Sequence, residues 1–236
     1  MTVKPLEGQT ALVTGASRGI GAAIAVQLAG AGAHVILTAR TAAGLESVED
    51  SIYSNGGTAT IAPMNLLETD SISRLALALS ERWGTLDMLI LNAAMLGMLS
   101  PVPSIDAKEF AQMMMLNVTA QQALIASFDP MLRASKRGRV IGVTSSVATS
   151  PRAYWGAYGA SKAAFEALLK TYGEERRRLG SVAVAIIDPG ATRTAMRAHA
   201  FPGEDPETVK SPDIVGARIA DLASVGFENG HYECMD

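Results

Sequence analysis

Cysteine is nearly absent from this chain: Cys234 is its single thiol. One cysteine closes no internal disulfide and builds no cysteine-rich metal site, which points to a reducing compartment. Histidine is almost as scarce, and His34, His199 and His231 lie scattered without ligand spacing, so no metal is expected. Positive charge is in no excess: 20 basic and 23 acidic residues give a net charge of −3. That balance argues against a nucleic-acid partner. The one basic cluster, Arg176-Arg177-Arg178, falls near a helix end and would complement the helix dipole. Long apolar runs are missing as well. The longest, residues 86–99, is interrupted by Asp87 and Asn92 and falls short of the roughly 20 residues a membrane helix needs. The chain enters an apolar strand by Ala11 without a signal-peptide layout. The expectation is a cytoplasmic protein with no membrane partner.

Aromatic residues make up only 5% of the chain although hydrophobic residues reach 48%. Ala, Leu, Ile and Val carry the difference, which suits helices packed on a buried parallel sheet. The length, 236 residues, fits one α/β domain covering residues 1–236.

Within residues 154–179 the apolar Ala164, Leu168, Leu169 and Tyr172 recur at three- and four-residue intervals without proline, which predicts a helix. Tyr158 and Lys162 stand four apart and so share a face of it. An ammonium beside a phenol favours phenolate, so the tyrosine pKa is expected to fall below its ordinary value of about 10. A phenol tuned that way can give and take protons. A surface Tyr–Lys pair is the plain alternative, and other residues must decide between them.

Residues 10–14 form a short apolar run ending in Gly15-Ala16-Ser17-Arg18-Gly19-Ile20-Gly21, and a helical pattern follows to Gly30. Strand, glycine loop and helix aim backbone N–H groups and a helix N-terminus at phosphate. The second strand, 34–39, is followed by Arg40 and carries no carboxylate at its end. In dinucleotide folds a carboxylate there binds the ribose 2′-hydroxyl, and an arginine accommodates a 2′-phosphate. Arg18 is a second candidate for that phosphate, unless both arginines are ordinary surface charges.

Further strands are predicted at 58–64, 86–91, 139–144, 182–187 and 231–235, with helices at 45–53, 69–83, 104–134 and 211–223. Asn117 falls inside the fourth of these helical stretches, counting from the glycine loop, between Leu116 and Val118, so its amide needs partners. Residues 191–210 have no clear period and contain Pro202 and Pro206. Connections of that length are commonly functional, and a mobile lid over a substrate is expected here. Six or seven strands alternating with helices make one doubly wound (Rossmann) parallel sheet with helices on both faces. Gly15, Arg40, Asn92, Ser145 and Pro189 all fall at the carboxyl ends of strands, where such folds bind ligands.

Thr14-Gly15-x-x-x-Gly19-x-Gly21, Asn92-Ala93, Asn117, Ser145, Tyr158-x-x-x-Lys162 and Pro189-Gly190 together resemble the short-chain dehydrogenase/reductase family. The order and spacing match across nearly the whole chain. The resemblance implies an oxidoreductase with a catalytic set of Asn117, Ser145, Tyr158 and Lys162. Tyr158 would be the acid/base, Ser145 would hold the substrate carbonyl, and Lys162 would bind the nicotinamide ribose and lower the tyrosine pKa. Asn117 would hold a water in a proton relay. Gly15, Gly19 and Gly21 would line the pyrophosphate, with Ser17, Arg18 and Ile20 of the same loop also binding the cofactor. Arg40, Asn65, Leu66, Asn92, Ala93, Pro189, Gly190 and Thr192 would complete the cofactor contacts with Tyr158 and Lys162. NADP(H) is favoured over NAD(H), and relatives imply a homotetramer or homodimer.

Three departures stand out. Ala94 replaces a common glycine, Asn65 replaces a usual aspartate at the adenine, and the sequence ends at Asp236 where relatives often continue. A looser likeness, through Pro189–Arg197 and Phe201-Pro202, is to oxoacyl-carrier-protein reductase-like members. The expected substrate is a small carbonyl or alcohol, with a 3-oxoacyl thioester as one form. Met95, Met98, Met196, Tyr154 and Trp155 near the site suit an apolar ligand, although methionines also simply fill cores. A non-catalytic dinucleotide sensor or scaffold is the alternative of another class. A nucleotide-fold methyltransferase, a third reading, would have no use for the Tyr–Lys helix.

Overall fold

A computed structural model describes residues 4–180 and 182–235. The terminal Asp236 lies outside them. Runs of Val, Ile and Leu without polar alternation form strands covered on both faces. They are β1 (Thr10–Thr14), β2 (His34–Thr38), β3 (Thr58–Ile61), β4 (Met88–Leu91), β5 (Gly138–Val143), β6 (Val182–Asp188) and β7 (His231–Cys234). All pairings are parallel, in the order β3-β2-β1-β4-β5-β6-β7. The chain order reverses between β1 and β4, which leaves a crevice at their carboxyl ends.

One face of the sheet is covered by α1 (Gly19–Gly30), α2 (Ala42–Ser54) and α8 (Pro212–Val225). Their Ile24, Leu28, Leu45, Ile52, Val215 and Ile219 join one buried cluster. The other face carries α3 (Thr69–Trp83), α5 (Ala120–Ala134) and α6 (Gly156–Arg177), with Ile72, Leu124, Phe128, Phe165 and Leu169 in a second cluster. Each such side chain contributes about 1.5–3 kcal/mol on burial. The expected doubly wound architecture is present, with seven strands among the described residues.

A glycine brings the catalytic helix down onto the sheet. A Cβ on Gly142 of β5 would collide with Leu169 and Phe165 of α6, so only a bare backbone admits the helix at this height. The N-terminus of α6 therefore sits above the end of β5.

Several expected elements change shape. The third strand stops at Ile61, and Pro63 just beyond it loses no ladder bond because its position faces the open edge of the sheet. Ala62 and Met64 on either side still bond Leu37 and Ala39. The fourth begins at Met88; just before it the Asp87 carboxylate accepts from the Thr10 N–H at 2.8 Å and the Ser135 hydroxyl at 2.5 Å. The long helix expected over 104–134 is divided: a 3-10 turn at Val102–Ser104, α4 (Ala107–Met114), a π turn at Met115–Thr119, then α5. Residues 191–210 are not aperiodic throughout. They hold α7 (Ala195–Ala200) and a 3-10 turn at Pro206–Thr208, and their ends meet in a bridge between Thr192 and Lys210. No helix among the described residues is long and apolar enough to cross a membrane.

Candidate active site

The crevice between β1 and β4 is tied by one hydroxyl. Thr14 Oγ1 donates to the Ile90 carbonyl at 3.0 Å and accepts from the N–H groups of Asn92 and Ala93 at 3.0 and 3.1 Å. Asn92 Nδ2 returns to the Thr14 carbonyl at 2.9 Å. Gly15 and Gly19 hold left-handed φ values of 66° and 58°, which favour glycine. A Cβ on Gly21 would meet the Gly15 carbonyl and come within 2.5 Å of Asn92 Nδ2. The loop is thus a cradle that side chains would fill.

No side chain caps the N-terminus of α1, and no acidic residue stands in its first turn. Its N–H groups and positive dipole end remain for an anion. The exposed Arg18 and Arg40 form no ion pair among the described residues. This donor set fits the diphosphate and 2′-phosphate of a dinucleotide. Ser17 packs against Gly44 at the start of α2. Asn65 Oδ1 accepts from the Leu67 N–H at 3.2 Å, fixing the turn after β3; Leu66 points into the core.

Asn117 explains the π turn. Its amide is 1% exposed and makes three bonds: Oδ1 from the Met95 N–H at 2.9 Å, Nδ2 to the Met95 carbonyl at 2.9 Å, and Nδ2 to Ser161 Oγ at 3.0 Å. It ties the strand β4 exit to α6.

Ser145, half-buried in extended conformation, follows β5 directly and precedes the 3-10 turn Ser146–Ala148. Its hydroxyl has no hydrogen-bond partner among the described residues. The N-terminal turn of α6 presses on that 3-10 turn, since a Cβ on Gly159 would lie 3.0 Å from the Val147 carbonyl. Tyr158 and Val147 consequently share one apolar cluster with Leu96 and Met113. The Tyr158 hydroxyl stands 4.0 Å from Met196 Sδ, and Trp155 meets the ring edge-on with centroids 6.0 Å apart.

Here the sequence expectation is corrected. The Tyr158 pKa is raised, not lowered: burial is the larger cause and the Asp188 carboxylate the second. Lys162 does not offset them in this arrangement, because its Nζ donates to the Val143 carbonyl at 2.9 Å. That ammonium is itself pushed down to about 8 by burial, against the raising fields of Glu166 and Asp188. The phenol therefore keeps its proton through neutral pH.

Asp188 and Glu166 are site residues that the sequence pattern does not single out. Asp188 is 2% exposed, accepts from the Gly190 N–H at 3.0 Å and receives the Cys234 thiol at 3.5 Å. Its place beside Pro189-Gly190 at a strand end was the available signal. Thr192, 4% exposed, donates to the Pro189 carbonyl at 3.1 Å. From there the chain reaches over the glycine loop: the Thr194 methyl would lie 3.4 Å from a Cβ on Gly19. Beyond it Arg197 grips Glu204 through Nε and Nη2 at 2.7 and 2.6 Å and lies over the Phe201 ring at 3.8 Å.

A glycine-lined cradle at a helix N-terminus and a Tyr–Lys helix on a parallel doubly wound sheet make the scaffold of an oxidoreductase class. The family model described as short chain dehydrogenase matches residues 9–205. The oxidoreductase YciK of Escherichia coli strain K12 is 36% identical over 210 residues, 88% of this chain and 82% of that one. A Pseudomonas syringae structure assigned to the short chain dehydrogenases superposes with a TM-score of 0.94 at 37% identity, covering 100% of this chain and 97% of the other. Another, from Escherichia coli CFT073 and complexed with NADPH, gives a TM-score of 0.92 at 32% identity with full coverage of both chains. The chain belongs to the short-chain dehydrogenase/reductase family of oxidoreductases.

Proposed function

We propose that this protein is an NADPH-dependent reductase that converts a ketone to a secondary alcohol, and the reverse, with Tyr158 as acid/base. The observation that carries the reading is α6, which brings the buried Tyr158 and Lys162 against the turn following Ser145. Reduced nicotinamide, when bound in the cradle, supplies the hydride. The Ser145 hydroxyl holds the substrate oxygen, and Tyr158 donates its proton there as negative charge develops. Lys162 keeps a positive charge beneath the site. Asn117 supports them by fixing α6 to the β4 exit, and in this reading it orders the water that resupplies the proton.

The walls favour an apolar substrate, a 3-oxoacyl thioester among them. Met95, Leu96, Val147, Trp155, Met196 and Ala200 group around Tyr158, and Met98, Val102 and Tyr154 stand exposed. An NADPH-oxidation screen over carbonyls of increasing alkyl length tests this. Turnover should rise with chain length. Tyr158→Phe should keep the fold and NADPH binding while kcat falls about 10²–10⁴-fold. Near-normal kcat in the folded variant would remove Tyr158 from the mechanism, and no turnover of any carbonyl would favour a non-catalytic dinucleotide sensor. We also read the protein as a cytoplasmic homotetramer or homodimer; a monomer in sedimentation at micromolar concentration would contradict the assembly.

A further inference from the structure

The opposite edge of the sheet, where β5 and β6 begin, holds a second concave surface. A cleft of ≈ 370 Å³ opens there between Lys136, Arg137, Arg139, Arg176 and Arg177, with Phe227 on one wall. Among the described residues no acidic side chain lines it. Ordinary structural roles absorb part of this charge. Arg177 pairs with Glu174 at 2.9 Å, and Arg176 faces Asp129 at 3.5 Å. Arg139 donates to the Ala223 carbonyl at 2.5 Å. The carboxyl ends of α5 and α6 each bring about half a negative charge. An excess remains. Lys136 and Arg137 are exposed and form no ion pair among the described residues. Arg176 keeps Nε buried without a hydrogen-bond acceptor, while its Nη1 is the atom that faces Asp129. The field of Arg137 adds to burial in lowering the pKa of Arg139, against the raising field of Asp87. On a chain of net charge −3 this concentration is local, and two helix ends do not require five cations.

We propose that this cleft binds a phosphate-bearing small molecule at a site separate from the dinucleotide cradle. Guanidinium forks match phosphate oxygens in pairs, and the cleft lies within the roughly 300–1,000 Å³ range of small-molecule sites. Phe227 offers an apolar wall to a sugar or ring carried by the phosphate. The length of β5 separates the cleft from Ser145 by roughly 20 Å, so the ligand would act away from the reacting atoms. The inference therefore does not depend on the catalytic reading.

Titration calorimetry on the full chain with saturating NADPH tests it, using pyrophosphate and ribose 5-phosphate as probes and sulfate as the comparison anion. The double variant K136Q/R137Q alters two exposed side chains and should fold normally. The difference between parent and variant reads the cleft whether or not the cradle is filled. The expected result is binding of a phosphate probe to the parent, tighter than sulfate, and at least about tenfold weaker in the variant, as the loss of one charge-assisted hydrogen bond predicts. Equal binding by parent and variant, sulfate binding as tightly as both probes, or no binding of either probe to the parent would overturn the proposal.

Discussion

Thr144 and Glu166 share a buried hydrogen bond of 2.8 Å, with the Thr144 hydroxyl donating to Glu166 Oε1. It clamps α6 to the end of β5 at a telling point. Thr144 stands between Val143, whose carbonyl receives Lys162, and Ser145. Glu166 is one helical turn beyond Lys162, is 2% exposed, and holds Lys170 through its other oxygen at 2.7 Å. One carboxylate thus fixes the register between the two elements that carry Ser145, Tyr158 and Lys162.

Replacing Glu166 with alanine should orphan the buried Thr144 hydroxyl and lower both stability and kcat. The loss in stability should be about 1.5–3 kcal/mol, as for a hydrogen bond to a charged group. Glu166→Gln keeps an acceptor and should recover most of kcat. Urea unfolding and steady-state kinetics check this. Equal kcat in the alanine and glutamine variants would show that the clamp does not position the site.

Arg40→Ala should weaken NADPH by about ten- to a hundredfold while leaving NADH nearly unchanged. No carboxylate ends β2 to repel a 2′-phosphate, and a charge-assisted bond is worth about 1.5–3 kcal/mol. Added salt should shrink the difference, because the arginine is exposed. KM for both coenzymes in parent and variant provides the measurement. A parent that favours NADH would make Arg40 a surface charge only.

Carbonyl reduction should be level through neutral pH and decline above about 8, where Lys162 loses its proton. Tyr158, raised by burial and Asp188, stays protonated across that range and does not set the limit. Stability should move the other way. The Lys162 pKa is lowered on folding, so between about 8 and its ordinary value the unfolded chain binds more protons and this residue's contribution favours the fold as pH rises. Turnover profiles and thermal unfolding from pH 6 to pH 10, repeated with Lys162→Met, test both signs. A reduction profile unchanged through pH 9 would reject the assignment.

Much of this protein is written in local pattern. Helical spacing put Tyr158 and Lys162 on one face, apolar runs marked the strands, and Gly15, Gly19 and Gly21 marked the loop whose φ values and close backbone contacts need glycine. Such features depend on neighbours a few residues apart, so the sequence by itself determined the doubly wound sheet and the identity of the residues at its carboxyl edge. The π turn at Asn117 was not legible, because it depends on Met95 and Ser161, which are distant in the chain. Nor was α7, six residues held by the Thr194 cap and the Arg197–Glu204 pair and too short to show a period. The sign of the Tyr158 shift was decided by burial and by Asp188, thirty residues on. The basic cleft likewise joins Lys136 and Arg137 to Arg176 and Arg177 only because β5 and β6 lie side by side. Charge and burial act through space, and only the tertiary structure decides which groups are near.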